Sequence, residues 1–416
     1  MILITLFIVL IFFFTLVSKR IARTILTAPI IFTVAGMVVY YLSPQVAKME
    51  IHNETILLIA ELTLALLLFT DATRIDLRKL LKETIVPVRL LGIGMPLSIL
   101  VGAIIAVLLF DGIPIWEAAL LAVILAPTDA SLGQVVVNSR MVPERVRQVL
   151  NVEAGLNDGL SMPFFSLFVG LAAATDPYLT GNWMLYTIEQ IFFGLLMGIV
   201  IGWVGGWLIG ESGKRGWIEG PLQQLGLLAL ALMCYGGAIL IGGNGFIAAF
   251  VGGLMVKRGF EDAKYHASDF SEAWGQLLNF FVFFLFGLIA VDLLPHFTPI
   301  ILLFAVLSLT IMRMLPVAVA LLRTRLAPST VLFLGWFGPR GLASIVLGLI
   351  FLETEAHLIF ETTIVTAVGA TVLLSIFMHG MSALPGTRWY AHQIEKLDDS
   401  APELQEAVSV APVRDT

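Results

Sequence analysis

The chain has 416 residues, of which 58% are hydrophobic and only 13% are charged, and its mean hydropathy is +0.96. A soluble domain is about half apolar and about a quarter charged, so this composition excludes a soluble globular protein and indicates a polytopic membrane protein. The formal net charge of −6 argues against nucleic acid as a partner, and the single cysteine excludes an intramolecular disulfide and a cysteine metal cluster.

Thirteen apolar segments, spans 1 to 13, are read as membrane-spanning helices; a bilayer needs about 20 residues, and the ninth segment is short. They lie at residues 1–17, 24–43, 55–70, 86–110, 115–137, 149–174, 184–210, 221–242, 244–257, 275–291, 298–322, 329–352 and 361–383. We expect the first to be retained, since no charge precedes it and no Ala-x-Ala site follows it. The spans form a transmembrane domain at 1–385, followed by a polar tail at 386–416 that we expect to be disordered.

The basic residues indicate the orientation of the spans, because Lys and Arg accumulate in cytoplasmic loops. Of the 24 basic residues, 21 follow odd-numbered spans or lie in the tail. Only Lys48 lies in an even-numbered loop, and Arg313 and Arg340 lie inside spans. The N-terminus is therefore expected outside the cell and the C-terminus in the cytoplasm.

An odd number of spans allows spans 1–6 and 8–13 to be inverted six-helix repeats on either side of span 7. Spans 5 and 12 have matching positions in the two halves, and each carries a proline beside a charged residue. Pro127 precedes Thr128 and Asp129, and Pro339 precedes Arg340. Proline removes a backbone donor and clashes with the preceding turn, so we predict that spans 5 and 12 are broken, crossing helices.

Two carboxylates lie in consecutive apolar spans, Asp129 in span 5 and Asp158 in span 6. A carboxylate at the centre of a membrane helix costs roughly 2.5–3.5 kcal/mol on insertion scales, so such residues usually face a polar cavity and have a function there. A carboxylate site that holds either a hard cation or a proton would couple the two fluxes by competition. This pair therefore indicates ion transport.

Three other classes of membrane protein fit the two carboxylates less well: an intramembrane protease, a channel and an anion transporter. An intramembrane aspartyl protease would have Gly-Leu-Gly-Asp where this chain has Gly155-Leu156-Asn157-Asp158. A channel does not need two broken helices at symmetry-related positions, which favour alternating access. A transporter of an organic anion would not place two acidic residues at its site.

These residues resemble the monovalent cation/proton antiporters of the electroneutral branch, which include bacterial sodium/proton antiporters of the NhaP type and eukaryotic sodium/proton exchangers. Four motifs carry the resemblance: Phe69-Thr70-Asp71-Ala72 with Arg74, Pro127-Thr128-Asp129, residues 153–158, and Gly338-Pro339-Arg340-Gly341. Ala154 departs from the pattern, since relatives often have a cation-binding serine there, and Pro339 stands where leucine is common. The resemblance implies a transporter rather than an enzyme, without a cofactor, that exchanges a monovalent cation, with Na+ expected, for H+ in a bacterial or archaeal cell membrane.

By this resemblance, Asp158 is the principal carrier of Na+ or the proton, with Asp129 and Thr128 as companion ligands. Asn157 stands where electrogenic relatives have a second aspartate, which implies exchange of one cation for one proton. The amide of Asn157 could equally serve only to bridge the unwound helices by hydrogen bonds.

The remaining buried charges need partners, because unpaired charges are rare in membrane helices. Five helical residues place Glu153 roughly 140° from Asp158, so we expect Glu153 to pair with Arg313, or with Arg340 as second choice. Glu61 in span 3 is either a gate or cation-funnel residue or a hydrogen-bonded packing residue. His379 is expected to be an interfacial residue, with pH sensing as the alternative.

Span 7 carries a ridge of small residues at intervals of four, namely Gly194, Gly198, Gly202, Gly206 and Gly210. Such a ridge lets membrane helices approach closely, and its partner is either another span or another subunit. The resemblance implies a homodimer in the lipid bilayer with span 7 near the interface.

Overall fold

The computed structural model describes residues 2–21, 24–42, 54–75, 85–129, 131–175, 182–257, 260, 269–353, 358–398 and 400–405. All regular structure in these residues is helical. We number each helix after the span that contains it, and an interrupted helix has parts a and b.

In the described residues, the helices of the first seven spans are α1 (Ile2–Ile21), α2 (Ala28–Leu42), α3 (Glu54–Arg74), α4 (Ile85–Leu109), α5a (Ile115–Ile124) with α5b (Gln134–Val137), α6 (Glu144–Thr175) and α7 (Trp183–Lys214). The others are α8 (Gly220–Leu240), α9 (Gly245–Val256), α10 (Asp269–Leu293), α11a (Pro299–Leu309) with α11b (Ile311–Ala320), α12a (Pro328–Trp336) with α12b (Leu342–Leu352), and α13 (Glu361–Ile394). A π-helical turn at Leu90–Gly94 lies within α4.

Eight of the described helices are long and apolar enough to cross a bilayer. Their outer faces expose large apolar side chains, such as Phe12 and Leu16 on α1 and Trp203 and Trp207 on α7. Exposed apolar surface on this scale suits hydrocarbon rather than water. The chain is an all-α, multi-pass integral membrane protein.

The helices pack in two groups. The first helix group comprises α4, α5, α6, α11, α12 and α13, and the second comprises α1, α2, α3, α7, α8, α9 and α10. The groups meet mainly where α6 packs against α7 and α3 and where α12b packs against α3. A site between the groups is therefore bordered by α3, α6 and α12b.

The helices of spans 5 and 12 are both interrupted, as their prolines predict. Helix α5a ends at Ile124, and the chain is extended or turned at residues 125–129 and 131–133, before α5b begins. Helix α12a ends at Trp336, and α12b begins at Leu342. Pro127 and Pro339 lie within the two interruptions.

The glycine ridge of α7 packs against α9 of the same chain. A Cβ added to Gly198 would lie 2.7 Å from the carbonyl oxygen of Ala248, and one added to Gly202 would meet the backbone of Gly252. All five ridge glycines are buried. The expectation that this ridge forms a dimer interface is therefore wrong, because another span already covers it.

The last helix extends beyond the boundary expected at residue 385. Helix α13 continues through Pro385 to Ile394, and the ring of its Tyr390 stacks on Phe333 of α12a at 4.0 Å. Farther along, Glu403 is buried in a short 3-10 turn at Pro402–Leu404. The expected disorder is thus wrong for residues 386–398 and 400–405, which pack against the helices; residues 406–416 lie outside the described part.

Candidate functional site

The two helix interruptions lie against each other in the first helix group. The amide of Asp129 donates to the carbonyl oxygen of Pro339 at 2.8 Å. In return, Nη1 of Arg340 donates to the carbonyl oxygens of Ala126 at 2.7 Å and Pro127 at 3.1 Å. Backbone groups freed from a buried helix must find such partners. Arg340, the second choice for Glu153, thus holds the carbonyls of the α5 interruption.

Both carboxylate oxygens of Asp129 accept hydrogen bonds. Oδ1 accepts from the amide and the hydroxyl of Ser131, at 2.7 and 2.5 Å, and Oδ2 accepts from the amide of Leu342 at 2.8 Å. Asp129 therefore caps the start of α12b and, through Ser131, also stabilises a turn in its own segment. The sequence analysis missed Ser131, although an Asp followed two residues later by Ser is a known turn pattern.

Asn157 connects α6 to the interruption of α5. Its Nδ2 donates to Oγ1 of Thr128 at 2.6 Å, and both residues are buried. Within the part of the chain that the structure describes, its Oδ1 has no hydrogen-bond partner. The amide thus bridges two elements of the site, which was one of the two roles expected for it.

Asp158 lines a cavity of about 410 Å³, which we call the Asp158 cavity. Asp129, Ala154 and Asp71 also line it, so it lies between the two helix groups. Oδ1 of Asp158 is buried and has no hydrogen-bond partner among the described residues. A buried oxygen without a partner is costly, so this oxygen is poised to accept a cation, a proton or water.

Glu153 and Arg313 form a buried, bidentate ion pair. The distances are 2.5 Å from Nη1 to Oε1 and 2.8 Å from Nη2 to Oε2. Nη2 of Arg313 also lies 3.3 Å from the carbonyl oxygen of Leu334. Glu153 is not among the residues that line the Asp158 cavity. The structure therefore brings Glu153 together with Arg313 and separates it from Asp158.

Glu61 lies in a different cavity, of about 700 Å³, which also holds Glu353. Its Oε2 accepts a hydrogen bond from the hydroxyl of Tyr235 at 2.9 Å. In the same cavity, Nδ2 of Asn244 donates to Oγ of Ser166 at 3.1 Å. The structure thus does not bring Glu61 to Asp158, and its partner Tyr235 had no signal in the sequence.

His379 is buried rather than interfacial, contrary to expectation. Its Nε2 lies 2.9 Å from the carbonyl oxygen of Trp336, and its Nδ1 lies 3.0 Å from that of Ser375. Its ring stacks on Trp336 with 4.9 Å between the ring centres. Trp336 is the last residue of α12a, so His379 supports the end of that helix.

These features define an integral membrane protein in which two interrupted helices hold a buried carboxylate beside a cavity. The chain belongs to the sodium/hydrogen exchanger family: the family model described as "Sodium/hydrogen exchanger, transmembrane" matches residues 5–389. This confirms the resemblance seen in the motifs.

Curated relatives agree with this membership. The Na+/H+ antiporter of Schizosaccharomyces pombe is 26% identical over 346 residues, which are 74% of this chain and 73% of that protein. The K+/H+ antiporter NhaP of Alkalimonas amylolytica is 25% identical over 94% of this chain and 66% of its own length. For the Na+/H+ antiporter 2 of Zygosaccharomyces rouxii, 29% identical, the aligned part is 55% of this chain and only 29% of that protein.

The fold is shared with the sodium proton antiporter MjNhaP1 of Methanocaldococcus jannaschii, solved at pH 8. The TM-score is 0.70 at 21% identity, over 91% of this chain and 99% of that chain. At this identity the likeness concerns the fold, and the chemistry of the site has to be argued from this chain's own residues.

Proposed function

We propose that the protein is a secondary transporter that exchanges a monovalent cation for H+ by competition at Asp158. The observation that carries the proposal is the buried, unpartnered Oδ1 of Asp158 on the wall of the Asp158 cavity. A carboxylate can hold one hard cation or one proton, and each occupant excludes the other. The relatives named above are Na+/H+ and K+/H+ antiporters, so the cation is an alkali ion, with Na+ the first choice.

The hydrogen bonds around Asp158 support a one-for-one, electroneutral exchange. Asp129 is held by Ser131 and the amide of Leu342, and Asn157 is neutral and bonded to Thr128. In this proposal Asp129 and Thr128 keep lone pairs for a cation such as Na+, while Asp158 alone changes its occupant. One cation then replaces one proton, and no net charge moves.

The architecture proposed for this exchange is thirteen spans in two inverted six-helix repeats, α1–α6 and α8–α13. The meeting of the α5 and α12 interruptions supports it, because these helices hold matching positions in the two halves. With the N-terminus outside, the end of α1 and the start of α2, which border the Asp158 cavity at Ser18 and Ala28, are cytoplasmic. The Glu61 cavity then opens to the other side, which makes Glu61 a candidate outer gate.

We also propose that the protein is a homodimer in the bilayer. Since the glycine ridge is covered by α9, the interface would use the outer face of α7, where Trp203 and Trp207 are exposed. Crosslinking of a Trp203→Cys variant would support this arrangement. If the protein is monomeric in every membrane extract, the proposed dimer is wrong.

Proteoliposomes with a pH-sensitive dye inside test the transport proposal. A gradient of Na+, K+ or Li+ should drive proton movement that persists at a membrane potential clamped to zero. Asp158→Asn should abolish it, whereas Glu211→Gln, on the exposed end of α7, should leave it unchanged. If no alkali ion moves protons in the wild-type protein, the proposal is wrong. A rate that depends strongly on the clamped potential would disprove electroneutrality alone.

A further inference from the structure

One face of α13 contacts the α12 interruption with polar or small residues. They are Ser375, His379, Ser382 and Gly386, at intervals of four, three and four residues. Gly386 leaves room for the ring of Phe337, which a Cβ added there would meet at 2.6 Å. Oγ of Ser382 accepts a hydrogen bond from the indole nitrogen of Trp336 at 2.9 Å. The proposed function uses none of these residues, although the interruption they contact borders the site.

Ser375 and His379 hold the two ends of the interruption. Oγ of Ser375 accepts a hydrogen bond from the amide of Arg340 at 2.7 Å, two residues before α12b begins. Nε2 of His379 lies 2.9 Å from the carbonyl oxygen of Trp336, the last residue of α12a. Oγ of Ser375 and Nδ1 of His379 are 3.2 Å apart. A single chain of polar contacts, which we call the His379 relay, therefore joins the end of α12a to the segment before α12b.

The partners of the His379 ring specify its protonation and tautomer. A carbonyl oxygen can only accept, so the ring proton must be on Nε2, which faces Trp336. Nδ1 then accepts from the hydroxyl of Ser375, whose oxygen still accepts from Arg340. The carbonyl oxygen of Ser375, 3.0 Å from Nδ1, is already an acceptor in the helical ladder of α13. The hydrogen-bond partners that the described residues offer to this buried ring are uncharged, so the neutral form fits the site.

Arg340 connects the His379 relay to the α5 interruption. Its amide is held by Ser375, and its Nη1 donates to two carbonyl oxygens of the α5 interruption. These carbonyls belong to the two residues that precede Thr128, and Asp129 follows directly. The guanidinium can hold them in place only while the backbone of Arg340 is itself fixed. Groups behind a binding site commonly orient its ligands in this way.

We propose that neutral His379, through Ser375 and Arg340, is a positioning residue for the cation site. The inference rests on the proposed function, in which the α5 interruption supplies companion ligands for the cation. His379 does not line the Asp158 cavity, so it acts through Arg340 rather than on the ion. Loss of the relay should therefore weaken cation binding in the folded protein. A residue that only filled space would affect stability alone.

Proteoliposomes with the full chain and a pH-sensitive dye inside, assayed with Na+ and with Li+, test the positioning role. His379→Leu and Ser375→Ala should each raise the KM for the cation roughly threefold to tenfold, because a buried group loses its partner. The maximal rate should change little. The double variant should raise the KM no further than the stronger single variant, because both changes break the same relay. KM increases that multiply in the double variant would overturn the relay.

Thr371→Val is the matched control. The hydroxyl of Thr371 is also buried in α13, but it bonds to the carbonyl oxygen of Ala367 in the same helix. This variant should leave the KM unchanged. His379→Gln tests rescue, because an uncharged amide can place a donor where Nε2 lies. It should recover most of the affinity that His379→Leu loses, and a KM as high as that of His379→Leu would contradict the assigned role of Nε2.

Nitrogen-15 NMR of histidine-labelled protein in lipid tests the form of the ring without any transport assay. His379→Gln identifies the His379 signal among the six histidines of the chain. The ring should be neutral with its proton on Nε2, and a charged ring or a proton on Nδ1 would overturn the assignment. An active wild-type protein whose KM is unchanged in His379→Leu and Ser375→Ala would overturn the positioning role and leave the proposed function intact. A wild-type protein without cation-driven proton movement would instead overturn the proposed function itself.

Discussion

Replacement of Arg313 by alanine should destabilise the protein without changing its affinity for the cation. Arg313 holds Glu153 through two hydrogen bonds of 2.5 and 2.8 Å, and the side chains are only 6% and 3% exposed. In Arg313→Ala the Glu153 carboxylate would be left buried without a counter-charge. Neither residue lines the Asp158 cavity, so the site itself should stay intact.

The magnitude follows from the burial of the pair. Removal of one partner from a buried ion pair costs about 3–5 kcal/mol, because the other charge is left uncompensated. At an unfolding entropy of about 2.1 cal/mol/K per residue, this corresponds to a fall of roughly 3–6 °C in the thermal midpoint of a 416-residue chain. The double variant Glu153→Leu/Arg313→Met should lose less than Arg313→Ala alone, because no buried charge is left.

Thermal unfolding of the purified protein in detergent, followed by the monodisperse fraction that survives heating, measures this effect. Arg215→Ala is the matched control, since its pair with Glu211 is also 2.8 Å long but the side chains are 53% and 34% exposed. Such surface pairs contribute only about 0.3–0.5 kcal/mol. The control should therefore shift the midpoint by less than about 1 °C.

Two results for Arg313→Ala would refute this reasoning. One is a midpoint of Arg313→Ala that equals that of the wild type, which would mean that the ion pair contributes nothing. The other is a normal yield and midpoint with a greatly changed KM for the cation, which would place Glu153 or Arg313 in the transport site. For the double variant Glu153→Leu/Arg313→Met, a loss as large as that of Arg313→Ala would contradict the attribution of the loss to an unpaired buried charge.

Two further predictions concern packing away from the site. Glu403→Ala removes the carboxylate that accepts a hydrogen bond from the amide of Ala327 at 2.6 Å, so it should cost about 0.5–2 kcal/mol in stability, as the loss of a helix cap does. Glu395→Ala, at an exposed position, is the control and should cost nothing measurable. Equal thermal midpoints for the two variants would refute the role of Glu403 as a cap. Gly202→Leu should sharply reduce the yield of folded protein, because its Cβ would meet the backbone of α9. Gly236→Leu is the control and should be tolerated, because a Cβ at Gly236 has nothing within 4 Å. Similar yields for the two variants would contradict the tight packing of α7 on α9.

The sequence predicted the features of the site that depend on local chemistry. A proline lacks a backbone donor, so the interruptions at Pro127 and Pro339 could be inferred from residue type alone. The helical period likewise predicted that Glu153 and Asp158 point in different directions from the same helix. Neither rule could choose between Arg313 and Arg340 as partner, because that choice depends on which guanidinium the fold brings near Glu153, across 160 positions of the chain.

Other parts were missed because their partners lie far away in the sequence. The four-residue period of the α7 glycines predicted a helix packed closely against this face of α7, but it could not identify that helix as α9. The acidic composition of the tail suggested disorder, whereas Glu403 caps α12a, whose own cap residue, Ala327, has no side-chain acceptor.

If Asp158 exchanges its occupant as proposed, the contacts at the two interruptions explain how a site with so many charges can offer one exchangeable carboxylate. Each interruption is stabilised by a charged side chain from the other: Arg340 holds carbonyls of the α5 interruption, and Asp129 holds the amide at the start of α12b. Glu153 is neutralised by Arg313. These charges keep the scaffold in place whether the site holds a cation or a proton. In the proposed exchange, the unpartnered Oδ1 of Asp158 is then the group that changes its occupant, and exchange at a single carboxylate would move one proton per cation.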